Sequence, residues 1–243
     1  MEWKIHSKTL TFLKKLEISK RIIIETFSIP DVNFCLMWSG GKDSSAMVHL
    51  VRVIDPSIPI FSQFDDCDWP EKRPYMDRVA ERHGWDFISV EPGFSVWEAV
   101  QNHKIGTENI CGIDHPITID AFIMPLKAAT RASNCDGIFL GLRSDESYIR
   151  KKNFQKRRHT YQLKDGTWRC CPLSMWSTRD VFAYLVSNDV EINPCYFYNA
   201  ICHPEEIRLS WALPTVGWKG RDIEHIRRYY PQQFRRLREK GLQ

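Results

Sequence analysis

The sequence predicts an α/β fold, and three observations carry the prediction. A strand-length apolar run, Asn33–Phe34–Cys35–Leu36–Met37, leads through a small-residue loop into Ala46–Ile54, where apolar residues recur at helical spacing. Further strand-like runs at 58–64, 85–90 and 137–141 alternate with stretches of helical periodicity. A hydrophobic content of 43% over 243 residues is ordinary and allows a sizeable core.

Residues 1–30 read as a helical segment. Leu10, Phe12, Leu13, Leu16, Ile18, Ile22, Ile23 and Phe27 form its apolar side, and Pro30 ends it. Strand one and its loop follow. Pro56 and Pro59 punctuate the turn into strand two, Ile58–Phe64, which ends in Asp65, Asp66, Asp68 and Glu71. An open α/β sheet takes its ligand contacts at the C-terminal ends of strands. These carboxylates therefore either hold a metal or a ribose hydroxyl, or form an acidic turn that caps the next helix. Tyr75–His83 is helical and closes at Gly84, and Trp85–Val90 alternates as strand three. A helix around 96–101 precedes a weakly patterned loop at 102–116 that contains Cys111 and His115. Residues 118–133 look helical with an interruption at Pro125, and Gly137–Gly141 is strand four. A hairpin turn at Lys164–Thr167 joins Tyr161–Gln162 to Trp168–Arg169. Ser177 or Thr178 caps a helix running to about Ser187, and a last helix, 222–240, breaks near Pro231. The chain divides on this reading into a helical segment (1–30), an α/β domain built around strand one and its loop (31–190) and a basic extension (191–243).

The loop after strand one is Ser39–Gly40–Gly41–Lys42–Asp43–Ser44–Ser45. Two glycines let backbone approach a ligand, and the first N–H groups of the helix point at it with the positive end of the helix dipole behind them. The three serines add hydroxyls and Lys42 adds charge. Asp43 repels phosphate unless a divalent cation such as Mg²⁺ bridges the two. The string lacks the Walker A spacing and the three spaced glycines of the dinucleotide fingerprint. After strand four, Gly141 permits close approach, and Arg143 and Arg150 supply charge. If strand four pairs beside strand one, this loop faces the phosphate loop across the sheet's switch point.

The formal net charge of +4 is unevenly placed. Arg143–Gln162 carries seven Lys/Arg against Asp145 and Glu146; Arg221–Lys240 carries seven against Asp222, Glu224 and Glu239. The runs 150–158 and 221–240 suit an anionic ligand, a nucleic acid or an acidic partner, or else are solvated helix faces. Eight cysteines do not form a disulfide framework in a chain without a signal-peptide core or a bilayer-length apolar run, which reads as cytoplasmic with no membrane contact. Cys170, Cys171, Cys195 and Cys202 either bind an iron–sulfur cluster or are buried and loop thiols; adjacent strand residues point to opposite faces.

Three blocks, Ser39–Ser45, Gly141–Arg150 and Cys171–Pro172–Leu173–Ser174–Met175–Trp176, together resemble the phosphoadenosine phosphosulfate reductase family. That family includes sulfonucleotide reductases, the small subunit of sulfate adenylyltransferase and the ATP pyrophosphatases of DNA phosphorothioation. The resemblance implies an adenine nucleotide alpha hydrolase-like fold, Rossmann-like, with a five-stranded, mainly parallel sheet and helices on both faces. It implies that Ser39, Gly40, Gly41, Lys42, Asp43, Ser44 and Ser45 hold the phosphates of ATP or a related nucleotide. Gln63 and Asp65 would lie by the adenosine, and Gly141, Arg143 and Arg150 would complete the anion pocket. Lys42, Asp43, Arg143 and Arg150 are the implied catalytic residues, with Mg²⁺ neutralising the phosphates. A sulfur-donor or GTPase-like protein partner is also implied. The reductases' C-terminal Glu-Cys-Gly-Ile/Leu-His motif is missing. The cluster-bearing members carry a Cys-Cys pair and a distant Cys-x-x-Cys, whereas here Cys195 and Cys202 follow Cys170–Cys171 closely. Three activities are compatible with this pattern: attack at the α-phosphate of ATP in sulfur transfer or nucleic-acid modification, sulfonucleotide reduction with a [4Fe-4S] cluster or thiol, and nucleotide or nucleic-acid binding without chemistry.

Overall fold

The computed structural model describes residues 2–100, 114–198, 203–207 and 220–239. Helices α1 (Glu2–His6) and α2 (Leu10–Phe27) open the chain. Thr9 starts α2, its hydroxyl oxygen accepting the Phe12 N–H at 3.3 Å. Strand β1 (Phe34–Met37), α3 (Lys42–Ile54), β2 (Ile60–Gln63), α4 (Lys72–His83) and β3 (Phe87–Val90) follow in the expected alternation. After α5 (Val96–Ala99) and α6 (Pro116–Thr118), a π-helical turn, Ile119–Ile123, leads into α7 (Met124–Ala132). This turn is the form the interruption at Pro125 takes. Proline offers no N–H, and its ring crowds the carbonyl four residues back, which a widened turn accommodates.

Strand β4 (Gly137–Phe139) is followed by a 3₁₀ turn (Ser144–Glu146), α8 (Tyr148–Arg157), the hairpin β5 (Thr160–Gln162) and β6 (Trp168–Cys170), and α9 (Thr178–Ser187). The expected break at Pro231 separates α10 (Gly220–Tyr229) from α11 (Pro231–Glu239).

The sheet has six strands in the order β3-β2-β1-β4-β6-β5. β1 pairs in parallel with β2 (Leu36 opposite Ile60) and with β4 (Phe34 opposite Gly137). β6 adds in parallel to β4, and β5 turns back antiparallel to it. The hairpin thus adds its outer arm as a sixth strand, one more than the five the resemblance implies. The chain runs outward from β1 through β2 to β3 and returns on the other side as β4, which places the switch point between β1 and β4.

Two compact units are interleaved along the sequence. The first comprises residues 1–62, 74–88 and 130–193; the second comprises 63–73, 89–129 and 194–243. The N-terminal helices therefore belong to the same unit as the phosphate loop. In the first unit Phe27, Phe34 and Phe139 pack with ring centroids 5.3–6.5 Å apart. Gly137 lies under this cluster: a Cβ there would stand 2.3 Å from the Phe34 ring. Trp3 stacks on Phe182 at 4.6 Å, tying α1 to α9. Asp180, 1% exposed, takes Lys15 Nζ at 2.6 Å and pairs with His6 Nε2 at 2.7 Å. Burial opposes its charge, but the hydrogen bonds from Lys15, His6 and Ser177 outweigh burial and hold its carboxyl below the usual range. The second unit has its own core, in which Trp69, Val96, Trp97, Ile117, Tyr230 and Leu237 take part.

Candidate nucleotide-phosphate site

The turn from β1 into α3 has the backbone an anion site needs. Gly40 sits at φ +72°, a conformation that L side chains rarely adopt. Gly41 is the N-cap and contributes no side-chain hydrogen bond, so no cap from that position competes for the first-turn N–H groups of α3. The turn is held from both sides. Ser44 Oγ donates to the Gly41 carbonyl at 3.0 Å and accepts the Ser39 N–H at 3.1 Å. Asn193, 4% exposed, donates from Nδ2 to the Gly40 carbonyl at 3.2 Å.

Ser45 has a different role from the one expected of it. It is fully buried; its Oγ accepts from Trp38 Nε1 at 2.9 Å and lies 3.1 Å from Tyr75 Oη, which donates to the Glu191 carbonyl at 2.9 Å. Its hydroxyl therefore anchors α3 to β1 and α4. Nothing in the spacing of the motif marks Tyr75, Glu191 and Asn193 as its supports, because they come from two other segments of the chain, and Trp38, next to Ser39, reads as an apolar strand residue.

The loop after β4 packs directly on this turn. A Cβ at Gly141 would stand 2.8 Å from the Asp43 carbonyl carbon and oxygen and from Ser44 N. Glycine is required here because a helix backbone occupies the place of a side chain.

The charged residues form a balanced chain of ion pairs. Asp43 Oδ2 takes Lys42 Nζ at 2.9 Å and Oδ1 takes Arg143 Nε at 2.6 Å. Arg143 is 3% exposed and also donates to Asp145 Oδ1 at 2.5 Å and Thr178 Oγ1 at 3.1 Å. Burial disfavours the guanidinium charge, but Asp43, Asp145 and Glu146 more than offset it and hold its pKa above the ordinary value. Glu146 accepts the Arg143 N–H at 2.8 Å and pairs with Arg150. Arg143 and Arg150, expected as direct anion ligands, are thus committed to carboxylates. Arg143 thereby joins Asp43, at the first turn of α3, to the loop after β4.

Asp43 does not fit a protein-held Mg²⁺, because each of its oxygens already holds a cationic side chain. Among the described residues one set of three potential ligands lies within 4.8 Å, Asp65, Asp66 and Cys67 of the second unit. The two carboxylates already serve the local backbone. Asp65 Oδ1 accepts the Cys67 N–H at 2.7 Å, and Asp66 Oδ1 accepts the N–H groups of Val96 and Trp97 at 2.9 and 3.2 Å, at the start of α5. Asp68 holds Lys72 Nζ at 2.7 Å. Asp66 thus caps α5 and not α4, the next helix that the capping reading named; at α4 the turn contributes the Asp68–Lys72 ion pair. Gln63 also lies in the second unit, donating from Nε2 to the Phe122 carbonyl at 2.6 Å.

Among the described residues, Cys170, Cys171 and Cys195 stand in settings that do not favour an iron–sulfur cluster. Cys170 and Cys171 are fully buried neighbours, with Cys170 Sγ 3.3 Å from the hydroxyls of Thr26 and Thr160. Burial pushes their thiols up to about 11 and about 12. In the second unit Cys195 Sγ accepts from Tyr230 Oη at 3.1 Å and approaches Glu71 Oε2 at 3.4 Å, and burial pushes it up to about 12. A cluster ligand or a nucleophile must be a thiolate, which these settings disfavour. Cys202 lies outside the described residues, as does Cys111. No helix among the described residues is long and apolar enough to cross a membrane.

Residues 33–231 match the phosphoadenosine phosphosulfate reductase domain family. Sulfate adenylyltransferase subunit 2 of Vibrio atlanticus is 30% identical over 215 residues, spanning 77% of this chain and 68% of that protein. The subunit of the same name in Aliivibrio fischeri is 30% identical over 218 residues, spanning 78% of this chain and 68% of that protein. The fold is similar to phosphoadenylyl-sulfate reductase from Candida auris, with a TM-score of 0.54, 18% identity, and coverage of 76% of this chain and 87% of that one. It is also similar to Candida glabrata FMN adenylyltransferase in complex with ATP, with a TM-score of 0.56 and 14% identity. That match covers 79% of this chain, which spans 61% of the adenylyltransferase. The intact loop on α3, the β1–β4 switch point and these matches agree: the chain belongs to the phosphoadenosine phosphosulfate reductase domain family, an enzyme family of adenylyl transfer and sulfonucleotide reduction.

Proposed function

We propose that the chain cleaves ATP at its α-phosphate and releases pyrophosphate, as part of a sulfur-transfer reaction or of a nucleic-acid modification of the DNA phosphorothioation kind. The observation that supports this most is the Ser39–Ser45 turn, with Gly40 at φ +72° and the glycine-capped α3 behind it. Backbone N–H groups and the helix dipole hold the β- and γ-phosphates, and charge leaving with pyrophosphate is met by donors already in place. An acceptor oxygen attacks the α-phosphorus, the bond to the bridging oxygen breaks, and pyrophosphate carries away the electron pair. Lys42 supplies positive charge at the turn, and Asp43 and Arg143 fix its position. Magnesium enters as the ion that ATP carries.

Buried thiols with raised pKa values count against Cys170, Cys171 or Cys195 as the reductant in a sulfonucleotide reductase. ATP–pyrophosphate exchange and pyrophosphate release, each with sulfate or with a single-stranded oligonucleotide as acceptor, test the proposal. Pyrophosphate formation that depends on ATP and one acceptor supports it. Sulfite release from a sulfonucleotide without pyrophosphate chemistry contradicts it.

A further inference from the structure

Helix α8 is ten residues long and buries none of them. Five of the ten are cationic, Arg150, Lys151, Lys152, Lys156 and Arg157, and none is acidic. Arg150 is paired with Glu146. Among the described residues no carboxylate is paired with the other four. Such a helix gains little from packing, and Lys152 and Lys156, four residues apart on one face, repel each other. A polyanion laid along it removes that repulsion.

The same stripe carries an aromatic ring. Tyr148, Lys152 and Lys156 follow one another at intervals of four, and Tyr148 is 69% exposed with Ile149 beside it at 72%. Lys152 Nζ lies 4.7 Å from the Tyr148 ring centroid, and the Arg157 guanidinium lies 5.4 Å from the ring of Tyr161 on β5. An exposed ring among cations, with the half-buried ring of Tyr161 beside Arg157, suits a ligand that offers both phosphates and flat bases. An acidic protein segment has no bases to stack, and a duplex keeps its bases covered. The surface also begins at the phosphate loop: Ser147 caps α8, and its neighbour Glu146 accepts the N–H of Arg143, which holds Asp43.

We infer that α8 is a docking surface for single-stranded nucleic acid, with Lys151, Lys152, Lys156 and Arg157 on its phosphates and Tyr148 under a base. Only the purpose of that strand, as acceptor in the reaction, rests on the proposed function.

The test uses the full chain and a fluorescein-labelled thymidine 20-mer, with anisotropy read between 50 and 200 mM KCl. Four phosphate contacts give a log–log salt slope of about −2.8, a roughly 50-fold loss of affinity over that range. Replacing three lysines (Lys151→Gln, Lys152→Gln, Lys156→Gln) brings the slope to about −0.7. Tyr148→Ala weakens the oligonucleotide about five-fold or more and leaves any binding of polyglutamate unchanged. Both variants keep the circular dichroism spectrum and ATP affinity of the parent, because α8 buries no side chain. The inference is overturned by absence of binding at 50 mM KCl, by a slope the triple variant does not change, or by polyglutamate or duplex DNA binding as tightly. A strand that binds as described without stimulating pyrophosphate release contradicts the acceptor role alone; pyrophosphate release with no strand binding contradicts the surface alone.

Discussion

Replacing Gly141 by alanine puts a methyl group 2.8 Å from the Asp43 carbonyl and from Ser44 N. Carbon makes favourable contact at about 3.5 Å, so the first turn of α3 must retreat by about 0.7 Å. The two elements cannot share that movement freely, because β4 is paired to β1 on one side and β6 on the other. Forcing a methyl into such a contact costs about 1–3 kcal/mol of stability. The larger consequence concerns the ligand. A retreat of that size carries an N–H from a good hydrogen-bond distance to a poor one, and a hydrogen bond to a charged group is worth about 1.5–3 kcal/mol. Gly141→Ala should therefore weaken ATP binding about 10- to 100-fold, read by isothermal titration, and lower the urea midpoint. ATP affinity within two-fold of the parent at an unchanged midpoint refutes the claim that Gly141 sets the first turn of α3.

Arg143→Met leaves Asp43 and Asp145 without their shared guanidinium and should cost about 3 kcal/mol in urea unfolding, together with ATP affinity; Arg143→Lys should recover only part of either. His49, which pairs with Tyr184 Oη at 2.9 Å, is held down to about 4 by burial and by His83. Its imidazole is neutral in the fold, so as pH falls the unfolded chain takes the proton first. Stability should drop by about 1–2 kcal/mol between pH 6.5 and 4 and level off below, after allowance for partial exposure, and His49→Gln should flatten that part of the profile. In a Cys111→Ser, Cys202→Ser background, Cys170, Cys171 and Cys195 should react with an aromatic disulfide at pH 8 only as fast as the protein unfolds, and protein purified without air should hold no iron. Rapid reaction or stoichiometric iron contradicts the buried-thiol account.

Strand one, the glycine turn and α3 are legible in the sequence because each is a local signal: an apolar run, a positive-φ glycine and a helical period. The pairing of β4 with β1 was conditional in the sequence and is set by the register of Phe34 on Gly137, where a ring needs the missing side chain. What spacing does not reveal is where polar groups from distant segments meet. Arg143 reads as an anion ligand until Asp43, a hundred positions earlier, is found 2.6 Å from its Nε. Ser45 reads as a phosphate donor until Trp38 and Tyr75 are seen to occupy its hydroxyl. The four carboxylates after β2 look like a metal site because charge is visible in a sequence and the N–H groups that neutralise it at α5 are not. The sixth strand was hidden for a related reason: a hairpin is a local signal, but its attachment to β4 is a long-range one.

The central claim is that the Ser39–Ser45 turn holds the phosphates of an adenine nucleotide. Isothermal titration of the full chain with ATP and with AMP, repeated on Gly40→Ala, tests it most directly. A Cβ at φ +72° costs about 1–2 kcal/mol and disturbs the turn itself. The account predicts that ATP binds one-to-one and at least ten-fold tighter than AMP, and that Gly40→Ala removes most of that advantage while leaving AMP affinity unchanged. Equal affinity for ATP and AMP, or an ATP preference that survives Gly40→Ala, contradicts it.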